Sequence, residues 1–177
     1  MVRALILIDL QKEMERRITE GVDYVGNDIA THTTALISAW REKGWPILHV
    51  QHHSHDKNSP FHPDQTTAEL VDWAIPASGE PVFIKHTSSP FESTAIDEWL
   101  QQHHINGVTL AGAVLGFCIS STTRSAHDKG YQVQLVKDAV LTFGLVNHSL
   151  TARQIFDVET VLLSDFAEWV NTKELIQ

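Results

Sequence analysis

Short runs of apolar residues, separated by longer stretches with helical spacing, set the pattern of this chain. Six runs stand out, at residues 4–8, 46–50, 81–84, 108–111, 132–136 and 160–163. Each is brief and rich in Val, Ile or Leu, as expected of strands covered on both faces. Between them, Ile29, Leu36, Ile37 and Trp40 share a helical face, with Asn27 or Asp28 as N-cap and Gly44 as the stop. Thr94 and Asp97 have capping-box spacing ahead of a helix that buries Ile96, Trp99 and Leu100. A third helix is predicted from about Cys118 to Lys129, with Thr122 and Ala126 inward and Gly130 ending it. Weaker helical spacing covers 149–157 and 165–175. Strands that alternate with helices imply a mainly parallel sheet covered on both sides, and right-handed crossovers make a three-layer αβα, doubly wound α/β fold the simplest arrangement.

One stretch breaks the alternation. Residues 52–79 contain three prolines and one expected short helix near 67–72. A connection of that length inside a domain is usually a functional loop or a subunit contact. No repeat or linker interrupts the rest, so one domain is expected over 1–177, in keeping with roughly 150 residues per domain.

Composition removes several function classes. At 42% hydrophobic the chain is too apolar for disorder. Thirteen Lys and Arg against 22 Asp and Glu leave a net charge of −9, which argues against a nucleic-acid or anionic-membrane surface. The single cysteine, Cys118, excludes an internal disulfide framework and any multi-cysteine zinc module. The first apolar run meets Asp9 too early for a signal peptide, and no run is long enough to span a bilayer, so a cytoplasmic protein is expected.

In such a sheet, ligands bind beyond the carboxyl ends of the strands. Asp9 follows the first run directly, Lys85 follows the third, and Cys118 lies just past the fourth, where a helix begins. A thiol at a helix start, a lysine near it and a carboxylate able to take and return its proton are the parts of nucleophilic catalysis. Singly, each residue has an ordinary role: a buried cysteine, a turn-capping aspartate, a lysine reaching solvent. Together, at equivalent strand ends, they favour chemistry. The rival signal is histidine. His49, His52, His53, His55 and His62 crowd one stretch with Asp56 and Asp64, but no helical His-x-x-x-His motif is present and a polar loop is the preferred reading.

Three segments carry a resemblance. Ile6-Leu7-Ile8-Asp9-Leu10-Gln11 resembles the I-D-x-Q opening of the isochorismatase-like cysteine hydrolases, which include nicotinamidases and N-carbamoylsarcosine amidases. Residues 85–94, K-H-T-S-S-P-F-E-S-T, are similar to that family's K-x-x-x-S-A-F-x-x-T. Residues 112–126, G-A-V-L-G-F-C-I-S-S-T-T-R-S-A, resemble G-x-x-T-x-x-C-V-x-x-T-A-R-x-A, and the likeness runs over 4–165.

The resemblance implies a Rossmann-like, six-stranded sheet in the order 3-2-1-4-5-6 and a catalytic triad of Asp9, Lys85 and Cys118. It also implies an oxyanion hole from the backbone N–H groups of Val114 and Cys118, with a cis peptide at Ala113–Val114. Two departures, Leu115 for a threonine and Pro90 for a small residue, would reshape the pocket and leave the triad. The Asp-x-His metal motif of nicotinamidases aligns with His52 and Ser54, so a carboxylate ligand is missing and no metal is expected. True isochorismatases carry glycine where Cys118 stands, which disfavours vinyl-ether cleavage.

What remains is a cofactor-free cysteine hydrolase cleaving a small carboxamide or ureido substrate through a thioester. Gln11, Phe91, Leu115 and Phe143 are the substrate-pocket candidates, with Trp73 from the long loop as a further one. Two alternatives stay open: a metal-dependent hydrolase using the histidine-rich loop, and a non-catalytic binding or redox-responsive relative with Cys118 as sensor. The resemblance also implies a homodimer or homotetramer, for which five tryptophans offer anchors.

Overall fold

The computed structural model describes residues 2–177. Strand β1 (Arg3–Ile8) runs through the middle, and its successive side chains point to opposite faces. Ala4, Ile6 and Ile8 enter one apolar core while Leu5 and Leu7 enter the other. Both faces are filled, so the run reads as continuously apolar instead of alternating. Next come α1 (Lys12–Thr19), the two-residue β2 (Tyr24–Val25), α2 (Ile29–Lys43) and β3 (Ile47–His52). After the long loop follow β4 (Val82–Lys85), the one-turn α3 (Pro90–Ser93), α4 (Ile96–Gln102) and β5 (Gly107–Ala113). The chain then forms α5 (Ser120–Asp128), β6 (Gln132–Phe143), α6 (Ala152–Leu162), β7 (Glu168–Val170) and α7 (Thr172–Leu175).

Six strands pair in parallel as β4-β3-β1-β5-β6-β7, which is the expected 3-2-1-4-5-6 when these six are numbered along the chain. A seventh, β2, adds antiparallel to the end of β6, with Tyr24 opposite Phe143. Residues of α1 and α2 (Met14, Ile29, Leu36, Trp40) fill the core on one face. Residues of α4, α5 and α6 (Ile96, Leu100, Ala126, Phe156) fill the other. Among the described residues no helix is long and apolar enough to cross a membrane.

Several local expectations are corrected. Residues 160–163 are not the sixth strand; they complete α6 and enter the 3₁₀ turn Leu163–Asp165. Only Leu163 of that run is buried, and Val161 and Leu162 face outward, so its apolar residues serve one helical stripe. The true last strand, β7, is three residues long, and it splits the helical spacing of 165–175 into a strand and α7. The Thr94–Asp97 capping box does not form: the Thr94 hydroxyl accepts from the Ile96 N–H, but Asp97 accepts instead from Lys129 and Tyr131. Thr151 and Gln154 make a capping box at the start of α6. The loop holds two 3₁₀ turns, Thr66–Ala68 and Asp72–Ala74, in place of one helix at 67–72. The expected helix at Cys118 begins earlier, with a π-helical turn over Leu115–Ile119. Helix α2 follows its predicted course to Gly44, whose φ of 63° closes it in the left-handed conformation.

One glycine fixes the site's frame. Gly112 pairs with Ile8 across the β1–β5 ladder and has φ 125°, and a Cβ there would collide with the Ile8 carbonyl oxygen. The two main chains therefore touch directly beside Asp9 and the Val114 turn.

Candidate active site

Asp9 caps the end of β1 with φ 50°, a left-handed conformation that aspartate tolerates better than most residues. Its N–H donates to the Val50 carbonyl at 2.9 Å, which ties it to β3. Lys85 ends β4, two strands away, and is fully buried. Its stem crosses the end of β3 beside its ladder partner His52. The ammonium meets Asp9 Oδ2 at 2.8 Å, Cys118 Sγ at 3.2 Å, the Thr87 carbonyl at 3.2 Å and His52 Nδ1 at 3.4 Å. Cys118 is half-buried in the π-helical turn after β5. The three side chains singled out at the strand ends thus converge on one ammonium.

Burial dominates the electrostatics. The Cys118 thiol is pushed up to about 12 by burial and by the charge of Asp9, with Lys85 opposing. The expectation of a thiol at the first residue of a helix is corrected: Cys118 is the fourth residue of a turn that starts at Leu115, and burial is the largest influence on its thiol. Burial also raises Asp9 above the usual carboxylate range, against the lowering effects of Lys85 and of the neighbouring Cys118 thiol. Asp9 Oδ2 is taken by Lys85, whereas the buried Oδ1 has no partner. His52 falls to about 4 through burial and the charge of Lys85, so its ring is neutral and Nδ1 accepts from the ammonium.

These groups open into a cleft of about 210 Å³. Asp9, Cys118 and Val114 form its reactive end, Met14 and Arg17 line it from α1, and His52, Phe61 and Phe117 complete the wall. The Ala113–Val114 peptide is cis. Beyond Phe117, which is 53% exposed, lies a larger apolar groove of about 320 Å³ lined by Leu145, Leu150, Ile155 and Val158, with no nucleophile in it.

The four pocket candidates lie elsewhere. Gln11 is fully buried and clamps main chain: its amide donates to the His52 carbonyl at 2.9 Å and the Ala68 carbonyl at 2.7 Å, and its Oε1 accepts from the His52 N–H at 2.9 Å. Replacing it by alanine leaves those groups unpaired, and Gln11→Ala is expected to lose about 2–3 kcal/mol in urea unfolding. A loss below about 0.5 kcal/mol would refute the clamp. Phe91 packs on Tyr131, with ring centres 5.8 Å apart, and Leu115 is buried in the same core. Phe143 is buried behind Arg17, whose guanidinium lies 4.4 Å from its ring. Trp73 donates to Glu15 and lines a separate cavity with Tyr24 and Leu141.

The histidine-rich loop is held by its own contacts. His86 Nδ1 meets the His53 carbonyl at 2.8 Å, and the rings of His55 and His86 stack at 4.5 Å. Nδ1 of His62 accepts from the Asp64 N–H. Among the described residues no three His, Cys, Asp or Glu side chains converge where a metal ion could sit. Met14, Arg17, Phe61 and Phe117 line the cleft without having been singled out by sequence pattern. The spacing of Leu10, Met14 and Ile18, four residues apart, is the signal that marks α1.

Residues 3–165 match the isochorismatase domain. YrdC of Bacillus subtilis (strain 168), an uncharacterized isochorismatase family protein, is 29% identical over 178 residues, which cover 98% of this chain and 94% of its own. The crystal structure of an isochorismatase (PP1826) from Pseudomonas putida KT2440 superposes with a TM-score of 0.87 at 30% identity, covering 98% of this chain and 90% of the other. N-carbamoylsarcosine amidase from Thermoplasma acidophilum, at 22% identity, shares the fold with a TM-score of 0.78 over 97% of each chain. With the domain match spanning all but the last strand and helix, the chain belongs to the isochorismatase family of hydrolases.

Proposed function

We propose that the chain hydrolyses the C–N bond of a small carboxamide or ureido compound, with Cys118 as nucleophile and a thioester as intermediate. One observation carries the reading: a single buried ammonium, that of Lys85, holds the Asp9 carboxylate and the Cys118 sulfur together while Asp9 Oδ1 is left without a partner. A carboxylate oxygen kept unpaired beside a thiol is a proton acceptor in position.

The chemistry runs as two acyl transfers. As Cys118 Sγ bonds to the carbonyl carbon, its proton passes to Asp9 and the carbonyl π electrons move onto oxygen. Burial holds Cys118 as a neutral thiol, so proton loss to Asp9 accompanies or precedes the attack. Raising Asp9 by burial narrows the gap between acceptor and donor. The oxyanion sits against the backbone N–H groups of Val114 and Cys118. It collapses, the C–N bond breaks, and Asp9 returns the proton to the leaving nitrogen, which departs as ammonia or amine. Water then adds to the thioester with its proton going to Asp9. The C–S bond breaks, the acid leaves, and the proton returns to sulfur. The Lys85 ammonium, in contact with both Asp9 and Cys118, offsets the negative charge that moves between them. Nucleophile, base, acid and anion donors all come from the chain, so the reading assigns no role to a metal. The same fold carries an amidase in T. acidophilum, which supports C–N chemistry on this scaffold.

The test is a panel of small primary amides and ureido acids, with chelator present, assayed for ammonia and by rapid-quench mass spectrometry of the intact protein. Ammonia release is expected together with a transient adduct equal to the substrate less ammonia. Release without any adduct would sink the thioester mechanism, and no release above the uncatalysed rate would sink the amide reading.

A further inference from the structure

We infer that Arg17 is a specificity-determining residue that receives a carboxylate of the substrate, so that the compounds this site takes are amido or ureido acids. The inference rests on the reading above for the scissile bond and on separate observations for the acid.

Charges in the cleft cancel except at Arg17. Lys85 and Asp9 form an ion pair at 2.8 Å, Cys118 is a thiol, and the His52 ring is neutral. Arg17 is the remaining fixed charge among the residues that line the space. The other arginines with carboxylate neighbours use them: Arg16 binds Glu13 and Glu20, Arg41 grips Glu80 with two nitrogens, and Arg153 pairs with Asp157. Among the described residues the Arg17 guanidinium has no Asp or Glu partner. It lies over the face of Phe143, a ring fixed in the core at the end of β6, 4.4 Å from the ring centre. Stacking holds a guanidinium flat and leaves the N–H groups on its edge available, which is the geometry for a bidentate carboxylate.

The rest of the lining sharpens this. Met14, Phe61, Val114 and Phe117 are apolar side chains and offer an anionic group no side-chain hydrogen bond. The space of about 210 Å³ is below the roughly 300–1,000 Å³ usual for ligand pockets, which restricts it to a compact molecule. In a chain of net charge −9, one cation without a protein counterion beside the nucleophile favours an anionic ligand locally. Arg17 and Cys118 line the same small cleft, so a short acid would meet Arg17 with its carboxylate and Cys118 with its amide carbonyl.

The experiment compares matched pairs: succinamic acid against butyramide, and N-carbamoylglycine against propylurea. Wild type is expected to favour the acid of each pair by at least about 30-fold in kcat/KM, chiefly through KM. In Arg17→Gln that ratio falls toward one, and Arg17→Lys, which keeps the charge without the fork, lies between. A ratio near one in wild type, or a ratio unmoved by Arg17→Gln, overturns the inference and leaves the hydrolase reading intact. Calorimetric titration with succinate, which cannot be hydrolysed, separates the two. Binding weakened at least about 30-fold by Arg17→Gln, with no turnover of any amide, would sink the hydrolase reading and keep the acid site. Equal succinate affinity in both proteins would sink the acid site. Should Arg17→Gln fail to fold by circular dichroism, Arg17→Lys carries the comparison.

Discussion

Cys118→Ala is expected to lower kcat/KM by about 10⁴-fold or more while leaving the protein folded. In the proposed reaction the sulfur forms the covalent intermediate, and alanine offers nothing in its place. The fold should hardly notice. The Lys85 ammonium keeps Asp9 Oδ2, the Thr87 carbonyl and His52 Nδ1 when the sulfur is removed. Thermal unfolding and kcat/KM measured on the same preparation check both halves. Activity within tenfold of wild type would remove Cys118 from the reaction.

Asp9→Asn tests the proton path, and its effect differs in kind. The amide cannot take the thiol proton, so a loss of about 10⁴-fold is again expected. Here stability falls too, because a fully buried ammonium loses its counterion. Breaking one side of a buried pair costs roughly 3–5 kcal/mol, and Lys85→Met should cost a similar amount by stranding Asp9. The double variant Asp9→Asn with Lys85→Met removes both charges. It is expected to recover most of the lost stability in urea unfolding and none of the activity. If the double variant were as unstable as the sum of the singles, the two residues would not act as a pair.

The strand-end trio was legible because β1, β4 and β5 are short and lead straight to chemically distinctive residues. The doubly buried β1 announces itself as an unbroken apolar run with Asp9 directly after it, and the edge strand β4, though only partly buried, is apolar up to Lys85 at its end. The same rule misplaced the last strand. Residues 160–163 are as apolar as a buried strand, and only their exposure reveals a helix end, while Trp169 and Val170 supply too little pattern to be seen. The cleft wall was hidden for another reason. Helix α1 reads as a charged segment, and its two arginines are adjacent in sequence yet face different surroundings: Arg16 toward glutamates, Arg17 over Phe143. Gln11 shows the converse error. Its place beside Asp9 suggested a ligand contact, but its three hydrogen bonds go to the main chain that shapes the cleft from behind.

The contact between Gly112 and Ile8 has a consequence for how such a site can diversify. The spacing between proton acceptor and nucleophile turn is set by two backbones that touch, with no side chain between them to repack. The other side chains that line the cleft, Met14, Arg17, Phe61 and Phe117, hang from a helix, a long loop and a turn. On the proposed reading, reaction and selectivity therefore lie on different parts of the chain. Substitutions at those four positions would reshape the cleft wall while the distance between Asp9 and the Cys118 turn is kept, whereas any side chain at position 112 would alter that distance itself.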